Sequence, residues 1–283
     1  MTRAYISALP SAMESVEEIT ARLRNGLPAI FLDFDGTLAS ITDNPSDTFI
    51  PPETREAVEH LSAVCPVAVV SGRDLDDVRH LVGVEGIHYA GSHGFDVVEA
   101  DGQRHRKASE FRPDLGRAAD ELDRTLDDIP GAFLERKAFA LAVHYRMLED
   151  PRRESDVERA VDRVVADEPR LRKTGGKKIF EVRPDVEWDK GKAVVMMAGL
   201  IEAQEVEARA VEAEDGRRPG VVPLYIGDDL TDEDAFRAIA DHGVGVVVRG
   251  EDDDRKTAAS YVLADPSLVR EFLERLAEEL KRS

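Results

Sequence analysis

The sequence predicts an α/β fold: a doubly wound parallel sheet with a second, smaller α+β domain inserted into it. Short apolar runs without polar interruptions recur at wide spacing, which is typical of strands buried on both faces of a sheet. Helical patterns lie between these runs, as in a sheet that is covered by helices. In the middle of the chain the strands instead alternate apolar and polar residues, which indicates an antiparallel sheet with one exposed face.

Five apolar runs, each ending in polar or turn residues, are the predicted strands of the main domain. They lie at 28–34, 66–72, 87–94, 221–229 and 244–250. The intervening segments carry apolar residues at helical spacing, and the helix-end residues Pro51 and Gly83 mark the start of one and the end of another. The predicted helices lie at 51–64, 74–83, 189–203, 230–243 and 266–283. This alternation predicts a Rossmann-like core.

The inserted domain is expected at 103–185, between the two parts of the core at 1–102 and 186–283. Its predicted order is helix, strand, strand, followed by the same order again, which suggests a loose internal repeat. Neither residues 1–25 nor the charged segment 205–220 contains a recognisable motif. The sequence therefore predicts two domains, of which the smaller interrupts the larger.

The charge balance limits the partners that this protein can have. The chain has 283 residues, with 38 Lys and Arg against 58 Asp and Glu, and a formal net charge of −20. This negative field disfavours nucleic acid and anionic membrane surfaces, and no apolar run approaches the ~20 residues of a membrane span. An anionic substrate would need a local group of positive charges. We expect a small-molecule substrate, no nucleic-acid or membrane partner, and a monomer.

Cysteine content and the first residues indicate the compartment. The single cysteine, Cys65, excludes an intrachain disulfide and favours a reducing environment. The first residues lack the basic region and continuous apolar core of a secretory signal. The protein is therefore expected to be cytoplasmic.

The stretch FLDFDGTLAS places two carboxylates, Asp33 and Asp35, at the end of the first predicted strand. Ligands gather at the carboxyl ends of strands in open α/β sheets. A carboxylate there can bind Mg²⁺, attack phosphorus, or do both. A second carboxylate can transfer a proton to the leaving oxygen. The same residues would also be compatible with a simple acidic turn.

Further polar residues fall at other strand ends or helix starts. Ser71 follows the second strand and could hold a phosphate oxygen, although a plain helix cap would look the same. Lys190 begins a helix, where its ammonium could neutralise phosphate or lie on the surface. Asp228 and Asp229 follow the fourth strand, and two adjacent aspartates at that place indicate a metal ligand.

Taken in chain order, these elements resemble the motifs of the haloacid dehalogenase-like phosphatases. The resemblance implies that Asp33 is the nucleophile and Asp35 the general acid and base. It also implies that Ser71, Lys190 and Thr37 bind the phosphate.

The same resemblance implies a magnesium site. The ligands would be the Asp33 carboxylate, the backbone carbonyl of Asp35 and the carboxylate of Asp228. Asp229 is the competing candidate for the third position, and Asp232 matches a residue that supports the site from behind. The choice between Asp228 and Asp229 stays open at the level of the sequence.

Within this superfamily the chain is most similar to the trehalose-6-phosphate phosphatases, in stretches such as GSHG, ERKAFALAVHYR and GDDLTDEDAF. The inserted domain then corresponds to the cap that selects the substrate. The positions implied for sugar binding are Gly94 on the core side and Glu135, Lys137, Arg146, Lys177 and Glu181 on the cap. Because side chains on a strand repeat every second residue, several of these share a face. A solvated sheet face with weak surface ion pairs is the alternative.

The resemblance predicts Mg²⁺-dependent hydrolysis of trehalose 6-phosphate through an aspartyl-phosphate intermediate, the last step of trehalose biosynthesis. Three alternatives stay open. The chain could be a related phosphatase for sucrose phosphate or for a glucosyl- or mannosyl-phosphoglycerate, a regulator that binds a sugar phosphate without hydrolysing it, or a magnesium phosphomutase. No motif matches the glycosyltransferase domain that some relatives carry, and a free-standing phosphatase is expected.

Overall fold

A computed structural model describes residues 3–42, 47–176, 178–209, 220–250 and 253–282. The chain divides into two compact units. The large unit comprises Met1–His105 and Trp188–Ser283, and the small unit comprises Arg106–Glu187. Among the described helices, none combines the length with the apolar character that crossing a membrane requires.

The described residues form strands and helices in the order that the sequence predicts, with additional short strands. The strands are β1 (Ala4–Tyr5), β2 (Leu27–Leu32), β3 (Val67–Val70), β4 (His88–Gly91), β5 (Asp96–Val98), β6 (Arg104–Arg106), β7 (Phe133–Arg136), β8 (Leu141–His144), β9 (Leu171–Gly176), β10 (Ile179–Pro184), β11 (Val221–Gly227), β12 (Val244–Val248), β13 (Lys256–Thr257) and β14 (Tyr261–Leu263). The helices are α1 (Val16–Leu23), α2 (Pro52–Ser62), α3 (Leu75–Val82), α4 (Arg112–Leu126), α5 (Glu154–Asp167), α6 (Lys190–Arg209), α7 (Asp232–Ile239) and α8 (Ser267–Lys281).

The large unit is built on a sheet with the strand order β14-β12-β11-β2-β3-β4-β5-β6. The strands from β14 to β4 run parallel, and β5 pairs antiparallel to β4. Parallel neighbours must be joined by crossovers, and the helices of those crossovers cover the faces of the sheet. This arrangement confirms the predicted doubly wound α/β core.

The two faces of this sheet bury separate apolar cores. One core contains residues from α1, α2, α3 and α8, and the other contains residues from α6 and α7. Strand β2 contributes to both, because Ile30 and Leu32 belong to the first core while Ala29 and Phe31 belong to the second. Each large apolar side chain that is fully buried stabilises the fold by about 1.5–3 kcal/mol. The strands that end at the site are therefore held between two packed apolar cores.

The small unit is an antiparallel sheet with the order β7-β8-β10-β9. Helices α4 and α5 pack on one face through apolar side chains that include Leu122, Val143, Val161 and Val182. The residues between these on the strands point to the other face, which is more polar. This is the α+β organisation that the alternating strands predict.

Candidate active site

Three neighbouring strands of the large unit end at the same edge of the sheet, and a polar residue follows each. Asp33 follows β2, Ser71 follows β3 and Asp228 follows β11, and β2 lies between the other two strands. The Asp33 N–H donates to the carbonyl of Ile226 at 2.9 Å, which keeps β2 paired with β11 to its end. The parallel sheet therefore brings Asp33 and Asp228 side by side.

Lys190, the first residue of α6, forms the centre of a buried ion cluster. Its Nζ lies 2.8 Å from Oδ1 of Asp33 and 2.7 Å from Oδ1 of Asp232, the first residue of α7. Lys190 is 3% exposed and Asp232 is fully buried. The hydroxyl of Tyr225, on β11, donates to the same Asp232 oxygen at 2.6 Å. Asp232 thus holds the Lys190 ammonium against Asp33.

Burial and repulsion control the charges in this cluster. Burial raises the pKa of Asp33 well above its ordinary value, and the neighbouring carboxylates add to the rise although Lys190 opposes it. Burial also works against a charged Lys190, but Asp232 and Asp33 outweigh it and raise the Lys190 pKa well above its ordinary value. Lys190 therefore stays charged, and among the described residues it is the cation that pairs with Asp33 and Asp232.

Asp228 and Asp229 are adjacent in sequence but have different partners. The Asp229 carboxylate accepts hydrogen bonds from the N–H and the hydroxyl of Thr231, both at 2.8 Å, and from the N–H of Asp232 at 3.1 Å. Burial alone would raise the pKa of Asp229, but Lys190 and these hydrogen bonds lower it to about 2. Asp229 therefore stabilises the turn that leads into α7, as capping carboxylates do.

The Asp228 carboxylate belongs to the ion cluster. Among the described residues, its Oδ1 is buried without a hydrogen-bond partner. Burial and the repulsion of Asp232 and Asp229 raise the pKa of Asp228 to about 7. Asp33, Asp228 and Asp232 can each offer an oxygen such that all three lie within 4.8 Å of one another.

This donor set fits a divalent cation. Carboxylate oxygens are the ligands that Mg²⁺ prefers, and a buried carboxylate oxygen without a partner is a group that a cation would satisfy. Asp232 already accepts hydrogen bonds on both oxygens, from Lys190 and Tyr225 on Oδ1 and from the Asp229 N–H on Oδ2. Asp33 and Asp228 are therefore the better candidates to hold the ion.

The loop after Asp33 lies tightly against Asp228. Gly36 has a φ of +82°, and a Cβ at this position would lie 2.2 Å from Oδ2 of Asp228. Only glycine accepts both the left-handed backbone and this close approach. Thr37 is 2% exposed, and its hydroxyl has no hydrogen-bond partner within the part of the chain that the structure describes. A phosphate oxygen could satisfy this hydroxyl.

Asp35 is held by a residue to which the sequence analysis gave no role. Arg73 donates from Nε to Oδ2 of Asp35 at 2.8 Å and from Nη2 to Oδ1 at 2.7 Å. The same guanidinium lies 5.5 Å from the centroid of the Phe34 ring and donates to the Thr48 hydroxyl at 2.9 Å. The hydrogen bonds to Asp35 raise the pKa of Arg73. A two-pronged pair of this kind fixes the orientation of the carboxylate.

Ser71 and Gly94 lie on neighbouring loops at the same edge. Ser71 is fully buried, and its hydroxyl accepts a hydrogen bond from the Arg73 N–H at 3.1 Å. Gly94 has a φ of +90°, and a Cβ there would lie 2.2 Å from that of Ala193 on α6. Glycine at this position thus allows the loop after β4 to approach α6 closely.

The small unit brings two of the predicted sugar-binding residues into one row of its sheet. Glu135 on β7 and Glu181 on β10 both pair with Ala142 on β8. The two carboxylates therefore share a face at a separation of about 10 Å, two strand spacings. Lys137 follows β7 in the turn to β8, where its N–H donates to the Ala140 carbonyl.

Arg146 and Lys177 stand apart from that row. Arg146 is exposed in the turn after β8, and Lys177 lies outside the described residues. The structure therefore places Arg146 near the end of the polar face and leaves the predicted function of Lys177 as a prediction.

His144 is a further polar residue of this face that the sequence analysis did not select. Its Nε2 lies 2.8 Å from Oε2 of Glu135. Its ring stacks on that of Phe133, with centroids 4.5 Å apart and planes at 8°. Phe133 is 52% exposed, so an aromatic surface lies beside the Glu135 carboxylate. His144 lies two residues after Ala142 on β8, so the alternation of the strand places both on the same face. This alternation is the sequence feature from which His144 could have been predicted.

Comparisons with known proteins identify the family of this chain. A family model described as trehalose-phosphatase matches residues 31–267, a range that contains every element of the cluster. This chain belongs to the trehalose-phosphatase family.

Individual relatives support the assignment. The trehalose-phosphate phosphatase of Mycobacterium tuberculosis is 42% identical over 285 residues, which cover 98% of this chain and 68% of the relative. The protein of the same name from Mycobacterium marinum is 41% identical over 279 residues, with 98% and 68% covered. This chain thus spans about two thirds of the length of both relatives.

A solved structure supports the fold. The C-terminal domain of the Candida albicans trehalose-6-phosphate phosphatase superposes with a TM-score of 0.74 at 23% identity and covers 95% of this chain and 99% of that domain. The family match and the relatives make this chain a phosphatase, and the structural similarity shows that its fold is haloacid dehalogenase-like.

The buried cluster of this phosphatase predicts how its metal-free stability depends on pH. The Asp228 carboxyl has a pKa of about 7 in the folded chain against an ordinary value of 3.8, so the folded chain binds this proton more tightly than the unfolded chain. Its contribution to stability is complete below about pH 4 and is lost as the pH rises through about 7. In EDTA, the melting temperature at pH 8 should therefore be lower than at pH 6.

Two measurements check this expectation. Added Mg²⁺ should reduce the fall in melting temperature, because a cation offsets the repulsion. Asp228→Asn should reduce the fall in EDTA, since this variant lacks the titrating group. An equal fall in the wild type and in Asp228→Asn would contradict the account.

Proposed function

We propose that this phosphatase hydrolyses trehalose 6-phosphate to trehalose and phosphate with the help of Mg²⁺. The observation that carries the proposal is the buried cluster at the ends of β2 and β11, where Lys190 holds Asp33 beside Asp228. This cluster has the carboxylates for a cation and a nucleophile, and it occurs in a chain of the trehalose-phosphatase family. Because the carboxylates of this cluster outnumber the Lys190 ammonium, the additional positive charge that an anionic substrate needs would come from the bound cation.

In the proposed first step, a carboxylate oxygen of Asp33 attacks phosphorus and the bond from phosphorus to the sugar oxygen breaks. Asp35 donates its proton to that leaving oxygen, so that trehalose departs as an alcohol. An aspartyl phosphate is formed on Asp33, which divides one difficult displacement into two easier ones. Bound Mg²⁺ would supply neutralisation of the phosphate charge, with Asp33 and Asp228 as its carboxylate ligands and the Asp35 carbonyl as a third.

In the second step, Asp35 takes a proton from water as the water oxygen attacks phosphorus. The bond between phosphorus and Asp33 breaks, and phosphate leaves. Asp33 is then a free carboxylate and Asp35 is protonated, as at the start of the cycle. Lys190, Ser71 and Thr37 are proposed to hold the phosphate oxygens, since an ammonium and two hydroxyls complement that group. Asp229 is assigned to the turn before α7 rather than to the metal, because its carboxylate oxygen Oδ1 already accepts three hydrogen bonds.

The small unit is proposed to recognise the sugar. Glu135 and Glu181 offer carboxylates to sugar hydroxyls from one row of the sheet, and Lys137, Arg146 and Lys177 are proposed to assist them. Gly94 is proposed to contribute from the large unit. A polar sheet face with spaced carboxylates suits a ligand that carries many hydroxyls.

A panel of phosphorylated sugars tests the substrate and the metal together. Trehalose 6-phosphate should be hydrolysed with the highest kcat/KM, and EDTA should remove the activity until Mg²⁺ is restored. Equal turnover of glucose 6-phosphate or sucrose phosphate would contradict the assigned substrate. Activity that survives EDTA would contradict the assigned metal, and no turnover of any sugar phosphate would favour a regulator.

Variants of the sheet face test the proposed sugar site. Glu135→Ala and Glu181→Ala should each raise KM for trehalose 6-phosphate by about tenfold or more, as expected for a lost hydrogen bond to a charged group. Hydrolysis of p-nitrophenyl phosphate should not change, because this substrate has no sugar. Glu149→Ala, at an exposed position of the same unit, is the matched control. An equal loss with both substrates would contradict the proposal.

Arg73 provides a prediction that depends on the leaving group. If Arg73 orients Asp35 for proton donation, Arg73→Met should lower kcat/KM for trehalose 6-phosphate by about 100-fold, the lower end for general acid catalysis. For p-nitrophenyl phosphate the loss should be small, because the nitrophenolate leaves without a proton. Arg79→Met, at an exposed position of α3, the helix that begins two residues after Arg73, should match the wild type. A similar loss with both substrates would assign Arg73 to phosphate binding instead.

A further inference from the structure

Arg255 lies directly before β13, and its side chain extends to the loop that carries the candidate metal ligand. Its Nη2 donates to the carbonyl of Asp228 at 2.8 Å and to the carbonyl of Asp229 at 2.9 Å. The side chain is 18% exposed, and it also pairs with Asp253. One NH₂ group that bridges two successive carbonyls fixes the peptide between them, because each of its two protons forms a hydrogen bond with one of the carbonyl oxygens.

The loop needs such a restraint. Asp33, Asp228 and Asp232 offer oxygens within 4.8 Å of one another, so their charges repel. The loop from β11 to α7 is short, and a small rotation of its backbone would move the Asp228 carboxylate out of the cluster. A donor bound to that carboxylate would prevent the movement but would also compete with a metal ion. Arg255 instead binds main-chain carbonyls, and within the described residues Asp228 Oδ1 keeps no hydrogen-bond partner.

Arg255 is itself held by the segment Ala4–Ser7. Strand β1 pairs antiparallel with β13, and the N–H of Ile6 donates to the carbonyl of Arg255 at 3.1 Å. Ser7 donates twice to the neighbouring Asp254, from its N–H at 2.7 Å and from its hydroxyl at 2.9 Å. Ile6 is fully buried in the core that α6 and α7 share. The segment thus anchors the loop of Arg255 to the body of the large unit.

We propose that Arg255 is a positioning residue for the divalent-metal site, and that the segment Ala4–Ser7 acts on the metal through it. The contacts form a continuous path from Ser7 to Asp254, along the backbone to Arg255, and from its guanidinium to the peptide after Asp228. This inference rests on the proposed function, in which Asp228 holds the cation. It assigns a function to a part of the chain in which the sequence shows no motif.

Calorimetric titration of Mg²⁺ into the EDTA-stripped, phosphate-free protein tests the inference without any turnover. Arg255→Met should bind Mg²⁺ about 10- to 100-fold more weakly, the usual loss when a residue that orients a metal ligand is removed. Arg237→Met is the matched control, because Arg237 lies on α7 and pairs with Asp234. Its Mg²⁺ affinity should stay within about twofold of the wild type, on the usual scale for a surface change.

Kinetics separate positioning from general damage. In Arg255→Met the Mg²⁺ concentration for half-maximal activity should rise by the factor seen in calorimetry, while kcat at saturating Mg²⁺ should return close to the wild-type value. A distorted site would keep a low kcat at any Mg²⁺ concentration, and this result would overturn the inference.

Ser7→Ala tests the outer part of the path and remains informative if Arg255→Met does not fold. This variant should weaken Mg²⁺ binding by about threefold, because it removes the hydroxyl donor to the Asp254 carboxylate and leaves the Ser7 N–H donor in place. The double variant should bind Mg²⁺ no more weakly than Arg255→Met alone, because Ser7 acts only through Arg255. Additive losses would overturn the path.

The outcomes for the wild type separate this inference from the proposed function. A wild type that binds Mg²⁺ while folded Arg255→Met and Ser7→Ala bind it equally well would overturn the inference alone. A wild type that gives no Mg²⁺ binding in calorimetry and is active in EDTA would overturn the proposed metal and the inference together.

Discussion

Replacement of Asp33 by Asn should lower the hydrolysis of trehalose 6-phosphate by at least about four orders of magnitude, as expected when a covalent nucleophile is removed. The amide keeps the shape of the carboxylate but cannot attack phosphorus. The wild type, quenched in acid during turnover, should contain a phosphoryl group on the peptide that includes Asp33. The Asn variant should contain none. Phosphate release and mass spectrometry of the quenched peptides measure the two effects.

The stability of this variant separates lost chemistry from lost folding. Burial raises the pKa of Asp33 well above its ordinary value, so the charged carboxylate costs stability at neutral pH in the absence of metal. Asp33→Asn should therefore melt in EDTA no lower than the wild type. Asp241→Asn, at an exposed position, should keep full activity. An Asn variant with more than about 1% of wild-type activity would contradict the assignment of the nucleophile.

Replacement of Lys190 by Met should damage both stability and activity. Lys190 is buried between Asp33 and Asp232, at 2.8 and 2.7 Å, and its removal leaves those carboxylates without their cation. Breaking a buried pair in this way costs about 3–5 kcal/mol. At the size of this chain, such a loss corresponds to a fall in melting temperature of about 10 °C. The kcat should fall by about 1000-fold, since one charge that stabilises the transferred phosphate is lost.

The loss of stability in Lys190→Met should depend on pH. Without the ammonium, the pKa values of Asp33 and Asp232 rise further, so the folded variant binds their protons more tightly than the unfolded chain does. The contribution of these protonated carboxyls to the free energy of unfolding is complete below the unfolded pKa near 4, and it is lost as the pH rises. The variant should therefore be closer to the wild type at pH 5 than at pH 8.

A matched variant controls for the loss of one lysine. Lys192→Met removes a charge two residues further along α6, at an exposed position. Its melting temperature and kcat should stay near those of the wild type. If Lys190→Met also melted within about 2 °C of the wild type at pH 8, the buried ion cluster would contribute little to stability and the expectation would be wrong.

Local pattern in the sequence was sufficient for the fold class and for the positions of the main elements. A run such as Leu27–Leu32 is apolar at nearly every position, and only a strand covered on both faces buries all of those side chains. The alternation in Ile179–Pro184, where every second residue is buried, likewise reports a sheet with one covered face. These properties depend on residues that are near neighbours in the chain.

The partners of the site residues were decided only by the tertiary structure. Lys190 meets Asp33 across 157 positions of the chain, and Arg73 meets Asp35 across 38. Periodicity reports which face of an element is buried, but it does not report which distant side chain lies opposite. The sequence therefore indicated Asp33, Asp35 and Lys190 as a set and gave no reason to select Arg73.

The choice between Asp228 and Asp229 also depended on the tertiary structure rather than on the sequence. Both are acidic, both follow β11, and the sequence offers no difference between them as ligands. In the folded chain, Oδ1 of Asp229 accepts three hydrogen bonds from the start of α7, whereas Oδ1 of Asp228 is buried and, within the described residues, without a partner. The sequence by itself determined that a carboxylate stands at this strand end. The packing of the start of α7 decided which carboxylate receives hydrogen bonds, because the N–H groups of Thr231 and Asp232 lie beside Asp229, and this difference is the reason that we propose Asp228 as the metal ligand.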